Sequence, residues 1–131
     1  LRAETARPPL PAALRELARE AGLPVTVRVG GTERGLPPGV EHALFRSAQE
    51  ALTNVRKHAG ASAVEVTLEF QADGRVRLAV TDDGCGVNGA GCGASGVGLI
   101  GIRERVEVLG GRVESGNRRG GGFALAVEVP A

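Results

Sequence analysis

Tryptophan, tyrosine and methionine are absent from this 131-residue sequence, and phenylalanine occurs only three times. Proteins that bind nucleic acid use a positive field and aromatic side chains that stack on bases. Here 16 basic residues are balanced by 15 acidic ones, which gives a net charge of +1. No apolar run approaches the roughly 18–20 residues that a membrane-spanning helix needs. We therefore expect neither nucleic-acid binding nor membrane contact from this domain.

Cysteine is scarce too, since Cys85 and Cys92 are the only two. Neither has a histidine nearby in the sequence, so the pair does not predict a zinc site. We expect two reduced thiols, with a disulfide between them as the open alternative. The length suits one domain with one core. Because the sequence starts at Leu1 and contains no methionine, we interpret it as a piece of a longer polypeptide.

Hydrophobic periodicity predicts three helices and five strands. The helices are predicted over 10–21, 40–58 and 97–109, and the strands over 25–29, 64–70, 76–82, 112–115 and 123–129. An Asp-Gly pair at 73–74 is typical of a hairpin turn. Antiparallel strand pairs mixed with helices favour an α/β (α+β) two-layer sandwich with the helices on one face.

Glycine, by contrast, is abundant, and 14 of the 21 glycines lie between Gly84 and Gly122. A predicted strand ends at Asp82 and runs into the sequence Asp-Asp-Gly-Cys-Gly. The Asp82 carboxylate can accept a hydrogen bond from an exocyclic amine, and Gly84 and Gly86 would let a flat ring approach the backbone. A simple turn explains the same five residues equally well, so both interpretations stay open.

A second glycine motif, Gly96-Val97-Gly98-Leu99, stands at the start of a predicted helix. The free N–H groups and the dipole of a helix N-terminus favour a phosphate there. The sequence has no G-x-x-x-x-G-K-S/T phosphate loop, and no G-x-G-x-x-G follows its first strand. The motif is therefore weak alone and indicates a phosphate site only together with other features.

The predicted helix over 40–58 has an apolar stripe, and opposite to it Glu50, Asn54 and Lys57 lie within about 60° of one another. Asparagine is a mediocre helix former, and its amide oxygen suits Mg²⁺. Lys57 provides a positive charge for phosphate, and Glu50 is placed to orient or deprotonate an attacking group. The alternative is that these three residues form an ordinary solvated face.

Three segments, taken in order, resemble the ATP-binding domain of two-component sensor histidine kinases, most of all the nitrate-sensor and DesK-like class of the GHKL superfamily. They are Q-E-A-L-T-N-V-R-K-H-A at 49–59, D-D-G-C-G at 82–86 and G-V-G-L-I-G-I-R-E-R at 96–105, followed by L-G-G at 109–111. The resemblance covers about residues 10–131. It implies a Bergerat-type mixed sheet with about three helices packed on one face.

The resemblance also implies ATP and Mg²⁺ as ligands and a role for each matching residue. Glu50 would be the catalytic polar or general-base residue, Asn54 would coordinate Mg²⁺, and Asp82 would accept a hydrogen bond from the adenine amino group. The other nucleotide contacts would come from Lys57, His58, Gly84, Gly86, Gly96, Gly98 and Leu99, with residues 87–95 as a short lid. Phe123 stands where the family often has threonine, and we expect it to pack in the core.

The implied activity is transfer of the γ-phosphate of ATP to a histidine, followed by relay to a response regulator. Neither His42 nor His58 stands in the context of that acceptor, so the acceptor would lie on a helical dimerisation domain of the same parent protein, outside this chain. Residues 1–9 would be a linker or the end of that preceding helix, and residues 10–131 the catalytic domain. The domain would be cytoplasmic, even if its parent is anchored in a membrane, and would not phosphorylate itself alone.

Two alternatives stay open. A serine kinase of the anti-sigma-factor type uses the same fold, although the G-I-R-E-R helix argues against it. The other is an interaction domain that binds nucleotide but has lost catalysis. Against the loss of catalysis, the matching residues are intact at Glu50, Asn54, Asp82 and Gly98. An acceptor-histidine helix just upstream in the parent protein would favour the histidine kinase.

Overall fold

Three helices pack on one face of a five-stranded mixed sheet in the computed structural model, which describes residues 8–56, 63–84, 96–117 and 122–131. The helices are α1 (Leu10–Arg19), α2 (Pro38–Asn54) and α3 (Gly96–Val108), and the strands are β1 (Val25–Gly31), β2 (Val64–Phe70), β3 (Arg75–Asp82), β4 (Arg112–Asn117) and β5 (Phe123–Pro130). The predicted α/β sandwich is confirmed. Within these residues no helix is both long and apolar enough to span a bilayer.

The strands follow the order β1-β2-β3-β5-β4 across the sheet. β1 and β2 run parallel, with Val25 opposite Val64, and all other neighbours are antiparallel. Parallel neighbours need a crossover connection rather than a hairpin, and α2 provides it. β2 and β3 form the predicted hairpin, and its turn places Gly74 at a φ of +89°.

The core lies between the sheet and the helices. Strand periodicity sends alternate side chains to opposite faces, and in β3 this buries Val76, Leu78 and Val80 against the helices. The predicted apolar stripe of α2 is confirmed, because all of its members are buried. They are Leu44, Ala48, Ala51, Leu52 and Val55.

Several element ends differ by a few residues from the predicted ones. α2 begins at Pro38, earlier than predicted, since proline is well suited to the first turn of a helix. Its regular part ends at Asn54, and residues 55–56 form a wider π-type turn. β4 extends to Asn117 because its pairing with β5 continues that far. The predicted helix end at 58 and the lid over 87–95 lie outside the described residues.

The topology brings three element ends to the same end of the sheet. α2 ends shortly before β2 begins, and the first residue of β2, Val64, pairs with Asp82 at the end of β3. α3 follows β3 and leads to β4, whose first residue, Arg112, pairs with Glu128 near the opposite end of the sheet. The end of α2, the end of β3 and the start of α3 therefore share one end of the sheet, here named the Asp82 end.

Leu44 tests the packing of α2 on the sheet, since its side chain has 0% exposure. We expect Leu44→Ala to lower the free energy of unfolding by about 2–5 kcal/mol, because it removes buried methyl groups and leaves a cavity. Val108→Ala is the control, since Val108 is 86% exposed and should change that free energy by less than about 0.5 kcal/mol. Urea denaturation followed by circular dichroism measures both. Equal losses in the two variants would contradict the described packing.

Candidate active site

Asp82 combines a charge with burial. It is the last residue of β3, and only 2% of its surface is exposed. Among the residues that the structure describes, no other charged side chain is buried. Burying a carboxylate costs free energy unless hydrogen bonds satisfy its oxygens. Asp82 therefore needs polar partners at the position where the strand ends.

One partner of Asp82 comes from the glycine turn that follows the strand. The N–H of Gly84 donates a hydrogen bond to Asp82 Oδ1 at 2.8 Å. A side-chain oxygen that accepts from the backbone two residues later forms an Asx-turn, so residues 82–84 form a turn, while Cys85 and Gly86 lie outside the described residues. Because the same bond fixes the orientation of the carboxylate, the turn is compatible with a ligand-binding role for Asp82.

The neighbouring acid has a different part in the structure. Asp83 is exposed, and its Oδ1 accepts a hydrogen bond from the N–H of Ala63 at 3.0 Å. The N–H of Asp83 donates in turn to the Ala63 carbonyl at 3.4 Å. Asp83 thus joins the residue before β2 to the end of β3, and it holds the Asp82 end of the sheet together.

The start of β5 lies beside Asp82, and it adds a neighbour, Gly122, that the motifs did not predict. Thr81 pairs with Ala124, so Phe123 lies across from Asp82 on the inner face, with Gly122 just before it. A Cβ atom on Gly122 would lie 1.9 Å from the Asp82 carbonyl oxygen. Phe123 is half-buried and packs against the core, as predicted. The signal in the sequence was a run of three glycines directly before a strand.

Glu50 and Asn54 lie one turn apart on α2, and both are half-buried. Within the described residues no group of three or more His, Cys, Asp or Glu side chains could hold a metal ion. Asn54 offers one amide oxygen, which fits a Mg²⁺ ion whose other ligands are phosphate oxygens and water.

α3 begins at Gly96, one residue before the predicted start, so Gly96 and Gly98 both lie in its first turn together with Leu99. The first four N–H groups of a helix have no partner inside the helix. At the N-terminus they carry a partial positive charge that favours phosphate. Of the predicted site residues, Lys57, His58 and Gly86 lie outside the described residues.

The helix ends at the Asp82 end of the sheet have opposite polarity. The C-terminus of α2 carries a partial negative charge, and its last turn contains no basic residue. The N-terminus of α3 carries a partial positive charge. The two ends therefore suit a cation beside Asn54 and a phosphate beside Gly96. With the buried acceptor at Asp82, this arrangement fits a ligand that has an amino group at one end and phosphates at the other.

Comparison with known proteins identifies relatives of the whole domain. The model of the family described as histidine kinase-, DNA gyrase B- and HSP90-like ATPase matches residues 39–131. The chain is 36% identical over 121 residues to the nitrate/nitrite sensor protein NarX of Escherichia coli (strain K12). That match covers 92% of this chain and 20% of NarX. It is 37% identical over 102 residues to the signal transduction histidine-protein kinase/phosphatase DegS of Brevibacillus brevis. That match covers 78% of this chain and 26% of DegS. The chain thus spans about a fifth to a quarter of the length of these relatives.

Solved structures share the fold. The histidine kinase domain from the Erythrobacter litoralis EL346 blue-light activated histidine kinase matches with a TM-score of 0.70 and 24% identity, over 93% of this chain and 65% of that chain. Full-length ShkA in complex with AMPPNP matches with a TM-score of 0.73 and 25% identity, over 95% of this chain and 30% of ShkA.

Proposed function

Because this chain belongs to the family of histidine kinase-, DNA gyrase B- and HSP90-like ATPases, we propose that it is the ATP-binding catalytic domain of a cytoplasmic kinase module in two-component signalling. It binds Mg·ATP and transfers the γ-phosphate to a histidine on a helical dimerisation domain of its parent protein, and a response regulator then receives the phosphoryl group. The observation that carries this proposal is Asp82, a buried carboxylate oriented by Gly84 at the end of the sheet where α2 ends and α3 begins.

The adenine base binds at Asp82, where its amino group donates a hydrogen bond to the carboxylate. The burial of Asp82 supports this role, because a hydrogen bond is stronger in surroundings of low dielectric constant than in water. The hydrogen bond from Gly84 supports it as well, because it fixes the direction in which the carboxylate can accept. A carboxylate accepts hydrogen bonds and does not donate them, so it favours an amino group over a carbonyl. Gly84 and Gly86 have no side chain to obstruct the base or the ribose.

The phosphates bind between the ends of α2 and α3. The N–H groups in the first turn of α3, which contains Gly96, Gly98 and Leu99, bind phosphate oxygens, and Lys57 and His58 contribute from the segment that follows α2. Asn54 would hold the Mg²⁺ ion, which neutralises phosphate charge when it is bound. The partial negative charge at the C-terminus of α2 supports the assignment of a cation to that end.

The transfer step needs a neutral imidazole from the dimerisation domain. One imidazole nitrogen attacks the γ-phosphorus, a P–N bond forms while the P–O bond to the β-phosphate breaks, and ADP leaves. Glu50 orients the imidazole and accepts the proton from its other nitrogen. Positioning and charge neutralisation supply the remaining catalysis.

The acceptor histidine belongs to another part of the parent protein. The lengths of the relatives support this, since the matching segment is only 20% of NarX and 26% of DegS. The position of His42 supports it as well. His42 lies on α2 twelve residues before Asn54, a separation of about 18 Å along a helix axis, and so it is far from the phosphate-binding end.

Asp82→Asn tests the adenine assignment. We expect this variant to bind ATP at least about tenfold more weakly, because an asparagine that accepts from Gly84 presents an NH₂ group to the adenine amino group. Inosine triphosphate, which has a carbonyl at the same ring position, should lose less affinity or gain some. Titration calorimetry with both nucleotides measures the effect. Unchanged affinity for ATP would contradict the assignment.

Asn54→Asp tests the metal-binding role. We expect Mg²⁺-dependent phosphorylation of an acceptor domain supplied in trans to fall about a hundredfold or more, because the variant adds a negative charge beside the phosphates. Gln49→Glu is the matched control, since it adds the same charge on α2 next to Arg46, whose guanidinium already bonds Gln49, and it should retain activity.

The same assay separates the kinase from its alternatives. Full activity of Asn54→Asp would remove Asn54 from the metal site. A phosphoryl group on a serine rather than on a histidine of the acceptor would favour the serine-kinase alternative. ATP binding without transfer to any acceptor would favour an interaction domain.

A further inference from the structure

We infer that Gly122 is a positioning residue for the adenine site, acting through the backbone of Asp82. The inference rests on the proposed binding of adenine at Asp82 and extends it to a residue outside the three motifs. Gly122 is buried and directly precedes β5. It makes room for the carbonyl of the residue that would recognise the base.

The contact between Gly122 and Asp82 excludes every side chain at position 122. Gly122 has a φ of +97°, a region that residues with a Cβ atom rarely adopt. A Cβ atom there would lie 1.9 Å from the Asp82 carbonyl oxygen and 2.9 Å from the Asp82 carbonyl carbon. Contacts of a real Cβ atom essentially never fall below 3.0 Å. Any substitution therefore moves the Asp82 backbone by about 1 Å or shifts the start of β5.

A displacement of that size matters because Asp82 is held on two sides. Gly84 N–H holds the carboxylate at 2.8 Å, and the pairing of Thr81 with Ala124 holds the backbone one residue earlier. Moving the Asp82 carbonyl turns the carboxylate away from the direction that the Gly84 bond sets. Recognition that depends on one oriented hydrogen bond is sensitive to displacements of about 1 Å.

The chain contains a matched control for this contact. Gly31, the last residue of β1, has a φ of +79°, and a Cβ atom on it would lie 2.0 Å from the Phe70 carbonyl oxygen and 2.9 Å from the Phe70 carbonyl carbon. A Cβ atom would thus make the same steric clash at both positions. Phe70 pairs with Val76 near the start of β3, however, at the opposite end of the sheet from Asp82. Gly31→Ala therefore strains the fold without touching the site.

The experiment compares Gly122→Ala with Gly31→Ala in the 131-residue chain. Urea denaturation followed by circular dichroism gives the stability of each variant, and calorimetry gives the ratio of the dissociation constants of inosine triphosphate and ATP. We expect that ratio to be at least about tenfold in the unmodified chain and in Gly31→Ala, as one hydrogen bond to a charged group provides. In Gly122→Ala it should fall below about threefold, although both variants lose similar stability.

Three outcomes would overturn the inference. The first is an equal ratio of dissociation constants in the two variants. The second is unfolding of Gly122→Ala alone, because the contact between Gly122 and Asp82 would then serve the stability of the sheet rather than the binding site. The third applies if both variants unfold, and it uses ¹⁵N-glycine NMR of the unmodified chain. In that spectrum, ATP should shift the resonances of Gly122 and Gly84 and leave the resonance of Gly31 unchanged. A Gly122 resonance that does not shift when ATP is added would contradict the positioning role of Gly122. A ratio near one in the unmodified chain would instead overturn the adenine assignment itself.

Discussion

The parallel pairing of β1 with β2 is the constraint on which the site depends. Because both strands point the same way, the chain must return along the whole sheet between them, and α2 makes that return. The return brings Asn54 to the end where β2 begins and β3 ends at Asp82. α3 makes the second return, between β3 and β4, and starts at the same end. Two crossovers thus bring one helix C-terminus and one helix N-terminus to the end of the sheet where Asp82 is buried. Their opposite dipoles favour a cation at the first and an anion at the second, which supports the proposed positions of Mg²⁺ and phosphate.

The burial of Asp82 places a charged side chain at the edge of the core. A carboxylate with 2% exposure at the end of a core strand costs free energy that an apolar residue would not. The structure offsets part of that cost with the N–H of Gly84, and it admits the close approach of β5 only because residue 122 is glycine. Functional sites are the places where a fold departs from the rules for stability. The end of β3 at Asp82 is such a departure, and this supports its proposed role.

Local patterns were sufficient for much of the architecture. The period of the hydrophobic residues, together with the glycines between segments, predicted all eight helices and strands. The helical wheel of α2 predicted its buried stripe. Both predictions depend on residues that are close together in the chain. The pattern of β3 and the glycines after it placed an acid at the end of a buried strand, with a turn and a base-binding segment as open alternatives. The motifs also predicted that Glu50 and Asn54 share a face of α2.

Pairings between distant segments could not be read in the same way. Asp82 and Asp83 are adjacent and chemically identical, yet only the position of Ala63, twenty residues away, makes Asp83 a structural residue. The role of Gly122 depends on the register of β5 against β3, which is a tertiary property. The contributions of Lys57, His58 and Gly86 stay predictions, since these residues lie outside the described part of the chain.

A crystal structure of the chain with Mg²⁺ and a non-hydrolysable ATP analogue tests the central claim most directly. We predict the adenine amino nitrogen within about 3 Å of an Asp82 carboxylate oxygen, the Asn54 amide oxygen on the metal, and phosphate oxygens at the first turn of α3. A nucleotide bound without contact to Asp82, for example in the cleft between α1 and α2 lined by Leu10 and Phe45, would contradict the proposed site.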